Sequence, residues 1–104
     1  MDKLKLPIYK TYMPKEFDDI ANAADRLAEL YDIGFGGKKS GRYRMPAKLM
    51  RELVQRQRLY EDDVQALARA LFERGFVLID MDSFYVVMKA NAFVNYRRAN
   101  EDLL

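Results

Sequence analysis

Apolar residues recur every three or four positions in three stretches of the chain, which is the spacing of one face of an α-helix. The first stretch spans residues 17–31, and the second begins at Pro46, a residue that suits the first helical position. The third spans residues 64–72, with Gly75 just beyond it as a stop. The pattern therefore predicts three helices, with a glycine-rich connection after the first and a short turn after the second.

Two short apolar runs, residues 76–81 and 84–88, follow the third predicted helix. Only residues 82–83 separate them, so the spacing is that of a tight antiparallel β-hairpin. Pairing across this turn sets Asp80 opposite Tyr85. The same pairing gives the hairpin an apolar base and a polar tip, and acids at an exposed tip discourage pairing with another chain.

The two ends of the chain carry weaker patterns. Residues 1–13 alternate loosely between apolar and polar and are interrupted by Pro7, which favours an extended arm or an edge strand. From Ala90 onward the spacing predicts a last helix, with one face formed by Ala92, Phe93, Tyr96, Ala99 and Leu103. We expect an arm over residues 1–13 and a single domain over residues 14–104.

The predicted fold class is α+β, and mostly helical. The order helix, basic loop, helix, short turn, helix, hairpin over residues 15–89 resembles the winged helix-turn-helix domain, in which three helices pack together and a β-hairpin forms the wing. The segment MPAKLMRELVQRQRLYEDDVQALARALFERGFVLID carries most of this resemblance. It implies a winged-helix-like three-helix core with a β-hairpin, to which this chain adds a C-terminal helix. The resemblance also favours nucleic-acid binding.

The composition removes several kinds of chemistry. The chain has no cysteine and no histidine, which excludes disulfides, thiolate catalysis, cysteine-ligated zinc and the Ser-His-Asp triad. No run approaches the roughly 18 apolar residues of a membrane span. The start of the sequence lacks the continuous apolar run of a signal peptide. We therefore expect a cytoplasmic protein that has no membrane association.

The stretch LIDMDSFY is similar to the opening strand of the Y-family translesion DNA polymerases, where an apolar strand ends in acids and a pair of aromatics. The resemblance implies that Asp80 binds catalytic magnesium and that Phe84 and Tyr85 lie near the incoming nucleotide. The chain departs from the family at Val86, where the family has a small residue, and at Lys89, where it has glutamate. Two-metal phosphoryl transfer also requires further carboxylates. We therefore interpret the match as accidental, and expect no catalytic residue, metal or cofactor.

Charge is strongly segregated although the net charge is only +2. Between Lys38 and Arg58 there are eight basic residues against one acid, Glu52. Between Glu16 and Asp32 the balance reverses, with six acids against one basic residue. Such asymmetry suggests a positive face that could meet phosphate, although helical proteins also carry lopsided solvated faces.

The usual helix-turn-helix docking mode places the start of the second helix of the pair in the major groove. Here that start carries Glu61, Asp62 and Asp63, which phosphates would repel. A better candidate is the basic loop, residues 36–44 (GGKKSGRYR), whose glycines let the backbone approach and whose Tyr43 could stack. The alternative is that this loop is a flexible, solubilising connection.

These observations predict a small non-enzymatic DNA-binding protein, a transcriptional regulator or accessory factor that binds double-stranded DNA. The candidate phosphate contacts are Lys38, Lys39, Arg42, Tyr43, Arg44, Arg51, Arg56 and Arg58, and the candidate base contacts are Gln65 and Arg69. The alternative is a protein–protein interaction or adaptor module on the same fold, with the hairpin or the last helix as its docking surface. The last helix or the N-terminal arm could also form a two-fold homodimer.

Overall fold

The computed structural model describes residues 15–104 of the chain and the side chains of residues 19–104. The arm predicted over residues 1–13 lies outside the described residues. Within them, three α-helices and a three-stranded antiparallel sheet confirm the α+β fold class. The elements are α1 (Lys15–Leu30), β1 (Tyr43–Pro46), α2 (Ala47–Val54), α3 (Glu61–Glu73), β2 (Phe76–Asp80) and β3 (Phe84–Lys89), followed by 3₁₀ turns at Ala90–Phe93 and Glu101–Leu103.

The core lies where α1 and α3 pack against each other and against the inner face of the sheet. α1 contributes Ala23 and Ala24, whose small side chains let the two helices approach closely, and the fully buried Leu27. α3 contributes Leu67 and Leu71 to the same cluster. The other fully buried large side chains are Met50, Val54 and Val87, which come from α2 and β3.

The hairpin predicted after the third helix is present in the expected register. β2 pairs antiparallel with β3, and Asp80 lies opposite Tyr85 as the pairing across residues 82–83 requires. α3 runs into β2 through a two-residue turn at Arg74 and Gly75. Three helices followed by this hairpin are the element order that the sequence predicts for residues 15–89.

A third strand, β1, joins the sheet between α1 and α2, and the sequence did not predict it. β1 pairs with β3 so that β3 is the central strand and the order is β1-β3-β2. Tyr43 and Met45 face the core, whereas Arg44 and Pro46 face outward. The strand is four residues long and ends in proline, so its alternation is too short to stand out from the loop before it.

The two acids at the hairpin tip, Asp80 and Asp82, belong to the turn that joins β2 and β3. The carboxylate of Asp80 accepts a hydrogen bond from the backbone N–H of Asp82 at 2.8 Å, and Asp82 has a positive φ of 75°. The N–H of Ser83 donates to the carbonyl of Met81 at 2.9 Å, which closes a three-residue γ-turn. Asp80 therefore stabilises the tip by holding a backbone donor in place.

The connection between α2 and α3 is fixed at both ends. α2 ends in a Schellman motif, in which Gln55 has a φ of 64° and the N–H of Arg56 donates to the carbonyl of Arg51 at 3.0 Å. α3 begins with Asp63 accepting from the N–H of Tyr60 at 2.9 Å. The guanidinium of Arg56 reaches the same carboxylate at 2.7 Å and so ties the two ends together.

The prediction of a C-terminal helix was wrong. Residues from Ala90 onward form two short 3₁₀ turns, and the predicted apolar face is dispersed, with Tyr96 and Leu103 largely exposed. The side chain of Asn100 accepts from the N–H of Asp102 at 3.0 Å, a local bond that competes with helix formation. Of the predicted face only Phe93 is partly buried, so the helical spacing is not supported by tertiary packing.

Candidate nucleic-acid interface

The connection from α1 to β1, which ends in the basic loop, is held at its base by the core. The hydroxyl of Tyr43 donates to the carbonyl of Leu27 at 2.5 Å, a helix-end carbonyl that would otherwise lack a partner. The N–H of Gly41 donates to the carbonyl of Tyr31 at 2.9 Å. The ring of Phe35 contacts that of Tyr43 edge to face, with centroids 5.4 Å apart. These contacts give the loop a defined path.

A tight turn at Gly36 and Gly37 projects the start of the basic loop away from the core. The backbones of Phe35 and Lys38 exchange two hydrogen bonds of 3.0 and 3.1 Å across it. Gly36 and Gly37 have φ values of 61° and 83°, the two consecutive positive angles of a type I′ turn. Glycine is the residue that adopts both angles without strain. As a result, Lys38 and the cations that follow it lie at the surface.

Four cations of the basic loop are exposed, namely Lys38, Lys39, Arg42 and Arg44. Among the side chains of residues 19–104, no carboxylate lies within ion-pair distance of any of them. Arg44 lies on the outer face of the sheet, with its guanidinium carbon 5.5 Å from the centroid of the Phe84 ring. Three of the four line a depression of about 340 Å³ in the loop. They form a concentrated positive surface.

Tyr43 does not belong to this surface, so its assignment as a stacking residue is corrected. Its side chain is 8% exposed and its hydroxyl is engaged with Leu27. Burial raises the pKa of Tyr43 above its ordinary value, and the positive charge of Arg26 offsets only part of that rise. Tyr43 is a core residue that positions the basic loop.

The remaining cations from the α2 region divide into different environments. Arg56 is bound to Asp63 in the turn between α2 and α3, so a phosphate would compete with that carboxylate for its guanidinium. Arg51 is half-buried and lines a cavity of about 500 Å³ together with Asp80 and Glu61. Arg58 is exposed. Acids therefore lie close to the first two, whereas Arg58 is open to solvent.

Gln65 and Arg69, the candidate base contacts, are exposed on α3 but lie apart from the basic loop. They line a groove of about 900 Å³ between α3 and β2, and no residue of the basic loop lines it. Phe72 lies on the same side of α3 and is 65% exposed. Phe72 closes the apolar run of residues 64–72 that predicts this helix, but it does not join the buried face. Its spacing of three and seven residues from Arg69 and Gln65 assigns it to the outer face.

The start of α3 keeps the acidic character that the sequence predicts. Glu61 and Asp62 are exposed, and among the described residues neither forms an ion pair. Acids at a helix N-terminus interact favourably with its dipole. This arrangement stabilises α3 but places negative charge where the usual docking mode brings phosphates close.

Lys48 is the one exposed cation between residues 38 and 58 that was left out of the candidate set, and it lies on α2. Its signal was present in the sequence, since it belongs to the basic run that separates the acidic first helix from α3. Within the described residues, no helix is long and apolar enough to span a bilayer. No group of three or more potential metal-binding side chains comes together there either.

Comparison of the chain with protein-family models, with curated proteins and with solved structures gives no match.

Proposed function

We propose that the protein is a small non-enzymatic DNA-binding protein whose basic loop contacts the phosphate backbone. The observation that supports this proposal is the set of four exposed cations, Lys38, Lys39, Arg42 and Arg44, that have no carboxylate partner within the described residues. Cations without an ion-pair partner gain the most binding free energy from a phosphate contact, because the contact releases counterions from the nucleic acid and breaks no existing ion pair.

The geometry of the loop suits backbone contacts better than base reading. Lys38 and Lys39 follow a turn with no side chains at its two central positions, so the polypeptide can approach a phosphate closely. The guanidinium of Arg44 lies over the Phe84 ring, so the side chain is already ordered and loses less conformational entropy on binding. Contacts of this kind position a protein on a duplex but carry no sequence information. We accordingly infer a regulator or accessory factor in which affinity comes mainly from the basic loop.

The proposal is tested by titrating fluorescent duplex DNA with the protein at several salt concentrations. Lys39→Ala/Arg42→Ala removes two cations of the basic loop, and we expect the slope of log affinity against log salt to become shallower by about 2. Arg97→Ala/Arg98→Ala is the matched control, because it removes two exposed cations from the C-terminal segment. It should leave the slope nearly unchanged.

Two outcomes would contradict the proposal. One is the absence of wild-type binding at about 50 mM salt, where phosphate contacts are strong. The other is an equal effect of the two double variants, since that would make the interaction a response to net charge rather than to the basic loop.

A protein-interaction module is the second candidate function, and the observation that favours it is the groove between α3 and β2. An aromatic ring as exposed as Phe72 beside Ala66 and Val77 gives a surface that resembles the centre of a protein interface. This function predicts that the titration shows no salt-dependent DNA binding. It also predicts that binding of the partner is lost in Phe72→Ser and kept in Lys39→Ala/Arg42→Ala.

A further inference from the structure

β2 is an edge strand whose outer hydrogen-bonding groups have no partner in the described sheet. The N–H of Met81 donates to Phe84 at 2.9 Å, and the N–H of Ala90 donates to Gly75 at 3.0 Å. Because bonding direction alternates along a strand, the odd-numbered residues between these points bond to β3. The N–H and C=O groups of Phe76, Leu78 and Asp80 therefore point away from β3, toward the open edge.

The groove beside this edge combines apolar and charged positions. Its apolar part is formed by Phe72, Ala66 and Val77, and its volume is about 900 Å³. Asp62 and Arg69 also line it, and both are exposed and without an ion-pair partner among the side chains of residues 19–104. An open strand edge next to an exposed aromatic ring is a surface that another polypeptide can extend.

The charges have opposite signs at the two ends of the groove. α3 and β2 run in opposite directions because the turn at Arg74 and Gly75 connects them. Asp62 therefore lies toward the end where β2 stops at Asp80, and the groove is acidic there. Arg69 lies two helical turns further along α3, about 10 Å away, toward Phe72 and the start of β2.

We propose that the β2 edge and this groove form a two-fold interface between two copies of this chain. A two-fold axis reverses the direction of the second copy, so β2 pairs antiparallel with the partner's β2. The same reversal brings the acidic end of one groove to the basic end of the other. Asp62 then faces the partner's Arg69, and the Phe72 rings are buried between the two α3 helices. A parallel arrangement would instead bring like charges together.

The fold also explains why such pairing stops at two copies. An isologous interface uses the same patch on both protomers and so closes on itself. The other edge of the sheet is β1, which is four residues long and ends in Pro46, a residue that cannot donate to a further strand. Because the basic loop leads into β1, it lies at the sheet edge away from β2. Dimer formation therefore leaves the basic loop exposed, and the dimer does not depend on the proposed DNA binding.

The test measures the dimer dissociation constant by sedimentation over a range of protein concentrations. We expect Asp62→Arg and Arg69→Asp each to weaken the wild-type dimer by tenfold or more, because each brings like charges together at both symmetric contacts. An equimolar mixture of these two variants should recover the wild-type constant, since every facing pair is then of opposite sign. Glu101→Arg is the control for charge reversal far from the groove, and it should leave the dissociation constant unchanged.

Recovery in the mixture is decisive, because a fold damaged by either substitution would not recover when the other variant is added. A protein that is monomeric up to about 100 μM would overturn the proposal, because the dissociation constant would then exceed that of weak specific complexes. A dimer that survives both Phe72→Ser and the two charge reversals would also overturn it, since its interface would lie elsewhere.

Discussion

The basic loop and the hairpin tip are both short, charged turns, but their charges have different partners. At the tip, residues 80–83, the carboxylate of Asp80 accepts a backbone hydrogen bond of 2.8 Å and belongs to the turn. In the basic loop the side chains of Lys38, Lys39 and Arg42 form no ion pair with a carboxylate of residues 19–104, and the loop is held by glycines and by Tyr43. A charge bound to its own backbone supports the fold, whereas one without a partner is available to a ligand.

The stretch LIDMDSFY has two carboxylates at the end of an apolar strand, a pattern that resembles a metal site. The bond from Asp82 N–H to Asp80 shows a local use for one of them that needs no metal. The basic loop has no comparable use within the described residues, and for that reason the proposed function rests on it.

The largest expected effect concerns the side chain that holds the basic loop to the core. Tyr43→Ala removes a buried ring and the hydrogen bond to Leu27, and should lower the free energy of unfolding by about 3–5 kcal/mol. Phe35→Ala removes a more exposed ring from the same loop, and should cost no more than about 1.5 kcal/mol, the range of an aromatic pair. Urea unfolding measures both. Equal losses would show that Tyr43 has no special part in holding the loop.

Alkaline pH should lower the stability of the protein through the same residue, Tyr43. Burial raises the pKa of Tyr43, so the folded state keeps the phenol protonated where the unfolded chain, with a pKa near 10, begins to ionise. The stabilisation is complete below about pH 10 and is lost as pH rises above it, by up to about 1.4 kcal/mol per pH unit. Tyr85, whose pKa is raised by burial and then by Asp80, acts in the same direction.

The control for this pH dependence is Tyr43→Phe. It should be less stable at neutral pH by about 1 kcal/mol, because the carbonyl of Leu27 loses its donor. Its stability should then fall less steeply than that of the wild type between pH 10 and pH 11, where the unfolded-state tyrosine ionises. Unfolding curves at both pH values measure the difference, and parallel losses in the two proteins would contradict the role of Tyr43.

Local patterns predicted the hairpin register and the three helices, because each depends on residues close together in sequence. The pairing of Asp80 with Tyr85 follows from a two-residue turn between apolar runs. β1 could not be found in this way, since its stability comes from pairing with β3, some forty residues later in the chain. The prediction of a helix in the C-terminal segment failed for the opposite reason. It has helical spacing but no described surface against which that face is buried.

The candidate site was predictable in its charge but not in its accessibility. The basic run from Lys38 was visible in the sequence, and the structure leaves its first cations exposed. Whether Tyr43 and Arg56 would reach a ligand depended on partners elsewhere, Leu27 in α1 and Asp63 in α3. Sequence gives the chemical type of each side chain, and the tertiary contacts decide which of them remain available.

A smaller effect distinguishes the bonded acid at the tip from the free cations of the basic loop. Asp80→Ala removes the acceptor for the N–H of Asp82, and should cost about 1 kcal/mol, similar to the loss of a helix cap. Lys39→Ala should change stability by less than about 0.5 kcal/mol, as expected for a surface side chain. Thermal unfolding resolves this difference. Asp80→Asn keeps an acceptor oxygen and should lie close to the wild type.

The smallest expected effect has the opposite sign and concerns the next residue of the tip. Asp82 adopts a φ of 75°. A positive φ raises the free energy of a residue that has a Cβ atom, whereas glycine adopts it almost without strain. Among the described contacts its side chain forms no hydrogen bond, and only its N–H is used. Asp82→Gly should therefore raise stability by about 0.5 kcal/mol, after the greater freedom of glycine in the unfolded chain offsets part of the gain. A loss of stability on this substitution, measured by urea unfolding, would mean that the Asp82 carboxylate contributes to the fold as the Asp80 carboxylate does.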